Sequence, residues 1–123
     1  MSDPKPKLLI VEDDISSQQY YTIILSDHYD LTIVATVKAA KQAIQDTDFG
    51  LVLVDISLPG DEDGIDLVKF LVRESAQKLP PIVVTANAFP QNREEALAAG
   101  AVEFFTKPIM SGTLLDAVQK YVL

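Results

Sequence analysis

Five side chains with chemical potential stand at the ends of apolar runs. Glu12 and Asp13 follow Leu8 to Val11, and Asp55 follows Leu51 to Val54. Thr85 closes Ile82, Val83 and Val84, and Lys107 follows the run that ends at Thr106. Carboxylates placed a few ångströms apart repel one another, by ~4 kcal/mol for a pair at 4 Å in a protein-like dielectric. A cluster of this kind works against stability, so a cation is expected to neutralise it. Mg²⁺ suits the set, because it takes one or two carboxylates and keeps several waters, whereas Ca²⁺ asks for more protein oxygens. Lys107 adds a point charge of the right sign, and Thr85 adds a hydroxyl donor.

These residues meet only if the runs that carry them lie side by side and point the same way. A short run of Val and Leu with no polar break reads as a strand buried on both faces of a sheet. Such runs occupy Lys7 to Val11, Leu31 to Ala35, Leu51 to Val54, Ile82 to Thr85, and part of Ala101 to Thr106. Helical patterns alternate with them, from about Ile15 to Leu25, Val37 to Asp46, Gly64 to Ser75, Pro90 to Ala99, and from Ser111 through Leu115, Val118 and Tyr121. In the first of these, Ile15, Ile23, Ile24, Tyr20 and Tyr21 are expected to form the apolar face. Asp13 or Asp14 is placed to cap it and Thr36 to cap the next. Pro90 sits where a helix tolerates proline, and Gly100 is placed to stop that helix.

Strand and helix thus alternate five times with short connections, which predicts one doubly wound α/β domain with a parallel sheet. In such sheets the crevice beyond the carboxyl ends of the strands is the ligand site. All five chemical residues fall on that edge.

Composition narrows the functional classes. The chain has 123 residues, 48% of them hydrophobic, which suits a single core. It has no cysteine, so disulfides and thiol chemistry are excluded. No run reaches the roughly 18 apolar residues of a membrane span. A net charge of −8 disfavours direct contact with nucleic acid and favours divalent cations or a basic partner surface. A cytoplasmic protein that does not insert in membranes is expected.

The motifs also carry a family resemblance. Val11-Glu12-Asp13-Asp14, Val54-Asp55 with Leu58-Pro59, Asp63-Gly64, Val84-Thr85-Ala86 and Phe105-Thr106-Lys107-Pro108 together resemble the receiver domain of two-component response regulators, from Lys7 to Tyr121. Each motif is weak alone; all of them in this order are specific. The resemblance implies a flavodoxin-like five-stranded parallel sheet in the order 2-1-3-4-5 with five helices. Residues 1–123 would be one receiver domain, with residues 1–6 a frayed lead-in.

It further implies that Asp55 is the phosphoacceptor, taking a phosphoryl group from a phosphohistidine on a sensor histidine kinase or a histidine phosphotransfer protein. Asp13 would bind Mg²⁺ (or Mn²⁺) directly, together with Asp55; Glu12 would bind largely through water and Ser57 through its backbone carbonyl. Thr85 and Lys107 would each pair with a phosphoryl oxygen. A phosphoryl group at Asp55 would give Thr85 an acceptor it otherwise lacks, drawing it inward and letting the aromatic Phe104 turn into the space. The face formed by the fourth helix, fifth strand and fifth helix would then change shape for a downstream protein. Ala86 is small and leaves access open, while Ser57 and Asn87 would tune the lifetime of the phosphoryl group. The protein would be a switch that catalyses only its own phosphorylation and dephosphorylation.

The residues also have plainer readings. Phe104 reads as core without the resemblance, and His28 as an exposed loop residue. The loop from Gly60 to Asp63 is one residue longer than the commonest family pattern and acidic; it reads as a solvated turn ending in a helix cap, or as a partner-discriminating edge. Two other functional classes compete. A haloacid-dehalogenase-like phosphatase would want an acid at position 57, where this chain has Ser57. A pseudo-receiver, a protein-interaction module without phosphorylation, would have lost Asp55, Asp13 or Lys107. The chain is expected to be either a complete single-domain regulator or a piece of a longer protein such as a hybrid kinase.

Overall fold

The computed structural model describes residues 4–86 and 89–123. Its elements run β1 (Lys7–Val11), α1 (Ile15–Leu25), β2 (Asp30–Val34), α2 (Val37–Asp46), β3 (Leu51–Val54), α3 (Gly64–Arg73), β4 (Pro81–Thr85), α4 (Pro90–Ala99), β5 (Glu103–Thr106) and α5 (Ser111–Tyr121). The strands form one parallel sheet in the order β2-β1-β3-β4-β5. The predicted doubly wound architecture is therefore the observed one.

Alternation along each strand decides which helices pack where. Leu8, Ile10, Leu51, Leu53, Ile82 and Val84 face Tyr21 and Leu25 of α1 and Leu114, Ala117 and Val118 of α5. Leu9, Val11, Val52 and Val54 face Val37, Ala40 and Ile44 of α2 and Leu67 and Leu71 of α3. A third cluster joins Val83 and Phe104 to Ile65 and Val68 of α3 and Ala96 and Ala99 of α4. Both faces of the sheet are covered, which is why the central strands are continuous apolar runs.

The helix ends follow local chemistry. The Asp14 side chain caps α1 by accepting from Ser17 N, so Asp14 rather than Asp13 is the cap, and Thr36 caps α2 through Ala39 N. Asp63 opens α3 in a reciprocal capping box with Asp66. Pro90 occupies the first turn of α4, and Gly100 ends it at φ 121°. There a Cβ would also press on Val72 at 2.5 Å.

Some expectations need correction. In α1, Tyr21 and Leu25 are buried and Ile24 is partly so, whereas Ile15 and Ile23 are 67% and 78% exposed. Ile23 lies on the opposite side of the helix from the Tyr21/Leu25 stripe and Ile15 on its flank, so α1 carries apolar residues outside the buried face as well. Tyr20 stands at the rim and donates its hydroxyl to the Ile109 carbonyl. α3 ends at Arg73, two residues early, because Ser75 N turns back to Phe70 O. β5 spans Glu103–Thr106, within the expected stretch, after Gly100 and Ala101 have closed α4. Among the described residues no helix is long and apolar enough to cross a membrane.

Candidate functional site

The sheet register brings the strand ends together. Val11 pairs with Val34 on one side and Val54 on the other. The next residues continue the ladder, with Glu12 N donating to Val34 O and Asp55 N to Val11 O. On the far side Thr85 pairs with Thr106, and Lys107 N donates to Thr85 O. Glu12, Asp55, Thr85 and Lys107 thus emerge on one edge because β1, β3, β4 and β5 end within a residue or two of one another.

Asp55 is held on both carboxylate oxygens. Its Oδ1 accepts from the Thr85 hydroxyl at 2.8 Å and from Ser57 N at 3.0 Å. Its Oδ2 accepts from Lys107 Nζ at 2.8 Å. The same ammonium donates to Glu12 Oε1, so one cation bridges two carboxylates from different strands. Glu12, Asp55 and Thr85 are buried, whereas Lys107 is partly open to solvent.

Burial pushes the Glu12 carboxyl above its ordinary value, opposed by hydrogen bonds from Lys107 and from Asp14 N. Burial alone would lower the Lys107 ammonium. The hydrogen bonds and charges of Asp55 and Glu12 outweigh it, and the lysine pKa is raised.

Two residues outside the expected set of site residues support this arrangement. Gln18 Nε2 donates to the Glu12 carbonyl at 2.7 Å and ties α1 to the end of β1. Gly64 lies so close to the end of β3 that a Cβ there would sit 2.1 Å from Asp55 O. Gly64 N also donates to Ile56 O at 3.0 Å, closing the neck of the β3–α3 loop. The pairing of Asp and Gly before a helical pattern was the available sign for Gly64, although it announced a helix start rather than a close approach. Nothing in the sequence pointed to Gln18.

Asp13 is exposed and enters none of the bonds around Lys107. The expected convergence of three carboxylates is thus a convergence of two about an ammonium. Among the described residues no group of three acidic or imidazole side chains forms a ready metal cage. The remaining donor set still fits Mg²⁺, which prefers one or two carboxylates with waters completing its shell. Two buried carboxylates share a single lysine, so the site keeps a net negative charge. Asp13 and Asp55 would hold the ion, with Glu12 through water and the Ser57 carbonyl as a further oxygen.

Phe104 is buried at 6% exposure against Val83, Ile65, Val68 and Ala96. Arg93 of α4 reaches the Phe104 carbonyl at 3.4 Å and lies 6.0 Å from its ring centre. One expectation is corrected: Thr85 does not lack an acceptor, since it donates to Asp55 itself, and Phe104 is already buried. A buried hydroxyl takes the carboxylate oxygen its strand register offers. His28 is exposed beside Tyr29, as expected of a loop residue. Ala86 is exposed next to Thr85, and Asn87 lies outside the described residues.

The family model described as the response regulator receiver domain matches residues 8–119. FleR, a response regulator protein of Pseudomonas aeruginosa, is 32% identical over 95% of this chain. The chain spans 24% of FleR's length. The Vibrio cholerae chemotaxis protein CheY4 superposes with a TM-score of 0.85 at 29% identity, covering 96% of this chain and 99% of that one. The receiver domain of the P. aeruginosa sensor histidine kinase PA1611 superposes at 0.84 with 28% identity, covering 95% and 97%. That structure has a magnesium ion coordinated in its active-site cleft. With the strand order and the strand-end cluster already in place, this chain belongs to the response regulator receiver domains of two-component systems. Members of that class are signalling switches rather than conventional enzymes.

Proposed function

We propose that the chain is a phosphorylatable receiver in which Asp55 accepts the phosphoryl group. The observation that carries this reading is the two-sided hold on Asp55: Thr85 and Ser57 N on Oδ1, Lys107 on Oδ2. Three donors of this kind orient a carboxylate and stand ready for the extra negative charge of a phosphoryl group.

An Asp55 oxygen attacks the phosphorus of a phosphohistidine on a sensor kinase or histidine phosphotransfer protein. The P–N bond breaks, imidazole leaves, and an acyl phosphate forms on Asp55. In the reverse phase a water attacks the phosphorus, the Asp55 O–P bond breaks, and inorganic phosphate departs. A bound Mg²⁺ supplies charge neutralisation for the phosphoryl oxygens. Lys107 follows the developing charge from the Asp55 oxygen to a phosphoryl oxygen, and the Thr85 hydroxyl makes the corresponding move on its side. The protein catalyses only these two reactions on itself.

Output follows from the same hydroxyl. Thr85 and Phe104 lie on one face of adjacent strands, since Val83 pairs with Phe104 and Thr85 is the next residue on that face. With both already inward, phosphorylation strengthens an existing packing and shifts its population rather than creating it. The α4-β5-α5 face presents the result to a downstream protein in the cytoplasm, without direct contact to nucleic acid.

The test is incubation of the full chain with acetyl phosphate and Mg²⁺, followed by intact mass. A gain of one phosphoryl group that disappears in Asp55→Asn supports the reading. An unmodified wild type with no Mg²⁺ binding makes the chain a pseudo-receiver.

A further inference from the structure

The β3–α3 loop is one residue longer than the family's commonest pattern, and it is closed at both ends. At its start Ser57 N donates to Asp55 Oδ1 at 3.0 Å. At its end Gly64 N donates to Ile56 O, and Asp63 caps α3. Between these points the chain arches over a groove of about 560 Å³ that separates it from α2, lined by Thr36, Lys38, Gln42, Pro59 and Asp61. Among the ion pairs of the described residues, one crosses this groove. Lys41 Nζ of α2 lies 3.1 Å from both Glu62 carboxylate oxygens. The same ammonium stands 4.8 Å from the ring centre of Phe70 on α3.

One lysine therefore joins α2, the loop and α3 on the outside of the apolar cluster in which Leu58 meets the same two helices. The acidic tip of the loop gains a tie from it. Asp61, Glu62 and Asp63 are consecutive acids, and their mutual repulsion favours a loop that swings outward. An ammonium held between Glu62 and an aromatic face opposes that tendency.

We propose that Lys41 is a positioning residue for Asp55: by fixing Glu62 it sets the loop, and the loop keeps Ser57 N on Asp55 Oδ1 so that Oδ2 stays on Lys107. This rests on the reading of Asp55 as phosphoacceptor. Lys41 touches no reacting atom and acts entirely through the loop.

The experiment uses the full chain with acetyl phosphate and Mg²⁺, comparing wild type, Lys41→Met, Glu62→Gln and the exchanged pair Lys41→Glu/Glu62→Lys. Initial phosphorylation rates are read by intact mass, amide exchange of residues 57–64 by mass spectrometry, and stability by thermal unfolding. Each single variant is expected to slow phosphorylation about threefold at low salt, the size a half-exposed ion pair supplies. The Ser57 amide should exchange faster in both, with little change in melting temperature. The exchanged pair should recover most of the rate and the protection, and high salt should bring wild type toward the single variants. Wild-type rates with wild-type Ser57 protection in Lys41→Met overturn the proposal, as does an exchanged pair no better than the singles. A wild type that takes no phosphoryl group overturns the phosphoacceptor reading instead, and the proposal falls with it.

Discussion

The Thr85 hydroxyl donates to Asp55 Oδ1 over 2.8 Å from a side chain with no solvent exposure. Thr85→Val keeps the shape and removes the donor. A hydrogen bond to a charged group contributes about 1.5–3 kcal/mol. Phosphorylation by acetyl phosphate is expected to slow by roughly tenfold or more, because the developing phosphoryl charge loses the same donor. Folding stability should fall by only about 1 kcal/mol, since Ser57 N remains on that oxygen. Intact-mass kinetics and urea unfolding measure the two effects separately; equal losses in both would contradict the assignment.

Lys107→Met leaves Glu12 and Asp55 facing each other without their shared cation. Breaking a buried pair costs about 3–5 kcal/mol, and the partial exposure of Lys107 moves the expectation to about 2–3 kcal/mol at neutral pH. The sign with pH follows from Glu12. Its folded pKa is already raised by burial, and losing the lysine removes the strongest opposing effect. A carboxyl raised in the folded state contributes stability that is present below its unfolded value of 4.5 and is lost as pH rises through the folded value. The variant's deficit should therefore shrink as pH falls from 7 toward 4.5, readable as urea midpoints across that range.

Gly64→Ala places a Cβ 2.1 Å from the Asp55 carbonyl oxygen, against backbone that cannot swing away. The expected loss is about 3 kcal/mol, at the upper end for overpacking. Because the strain falls on the residue whose carboxylate is held by three donors, phosphorylation should slow as well. A variant with wild-type stability would show that the neck of the β3–α3 loop opens freely.

Tyr21 is buried against the first cluster, and both burial and the charges of Glu12 and Asp55 push its phenol well above the ordinary value of 10.0. A raised folded pKa means that this stability is complete below pH 10 and declines as pH rises further. The slope is about 1.4 kcal/mol per pH unit for a group held fully protonated. Tyr21→Phe should flatten the alkaline decline between pH 10 and 11.5, as measured by thermal unfolding. An unchanged slope would place the alkaline sensitivity elsewhere.

The fold was legible because each strand is a separate apolar run and the first four helices carry a local start signal, a side-chain cap in α1, α2 and α3 and a first-turn proline in α4. Asp14, Thr36, Asp63 and Pro90 mark helix starts through local chemistry alone, and the bounds of α2, α4 and β3 agree with the pattern. Two expectations failed where a contact outside the apolar pattern decided the outcome. Ile15 and Ile23 are apolar yet exposed, because the side of α1 that meets the sheet is chosen by Tyr21 and Leu25. Ser75 N returns to Phe70 O and ends α3 before the apolar pattern does.

The sequence by itself determined which residue types stand at the strand ends, since that depends only on where apolar runs stop. It also determined their common edge, because parallel strands joined by helices all end on the same side. Only the tertiary structure decided how those residues pair. It gave Lys107 to both Glu12 and Asp55 and left Asp13 exposed outside that bridge. It gave Thr85 an acceptor in Asp55 and set Lys41 across the groove onto Glu62. Such pairings depend on register and helix placement to within an ångström, and no local pattern in the chain carries that information.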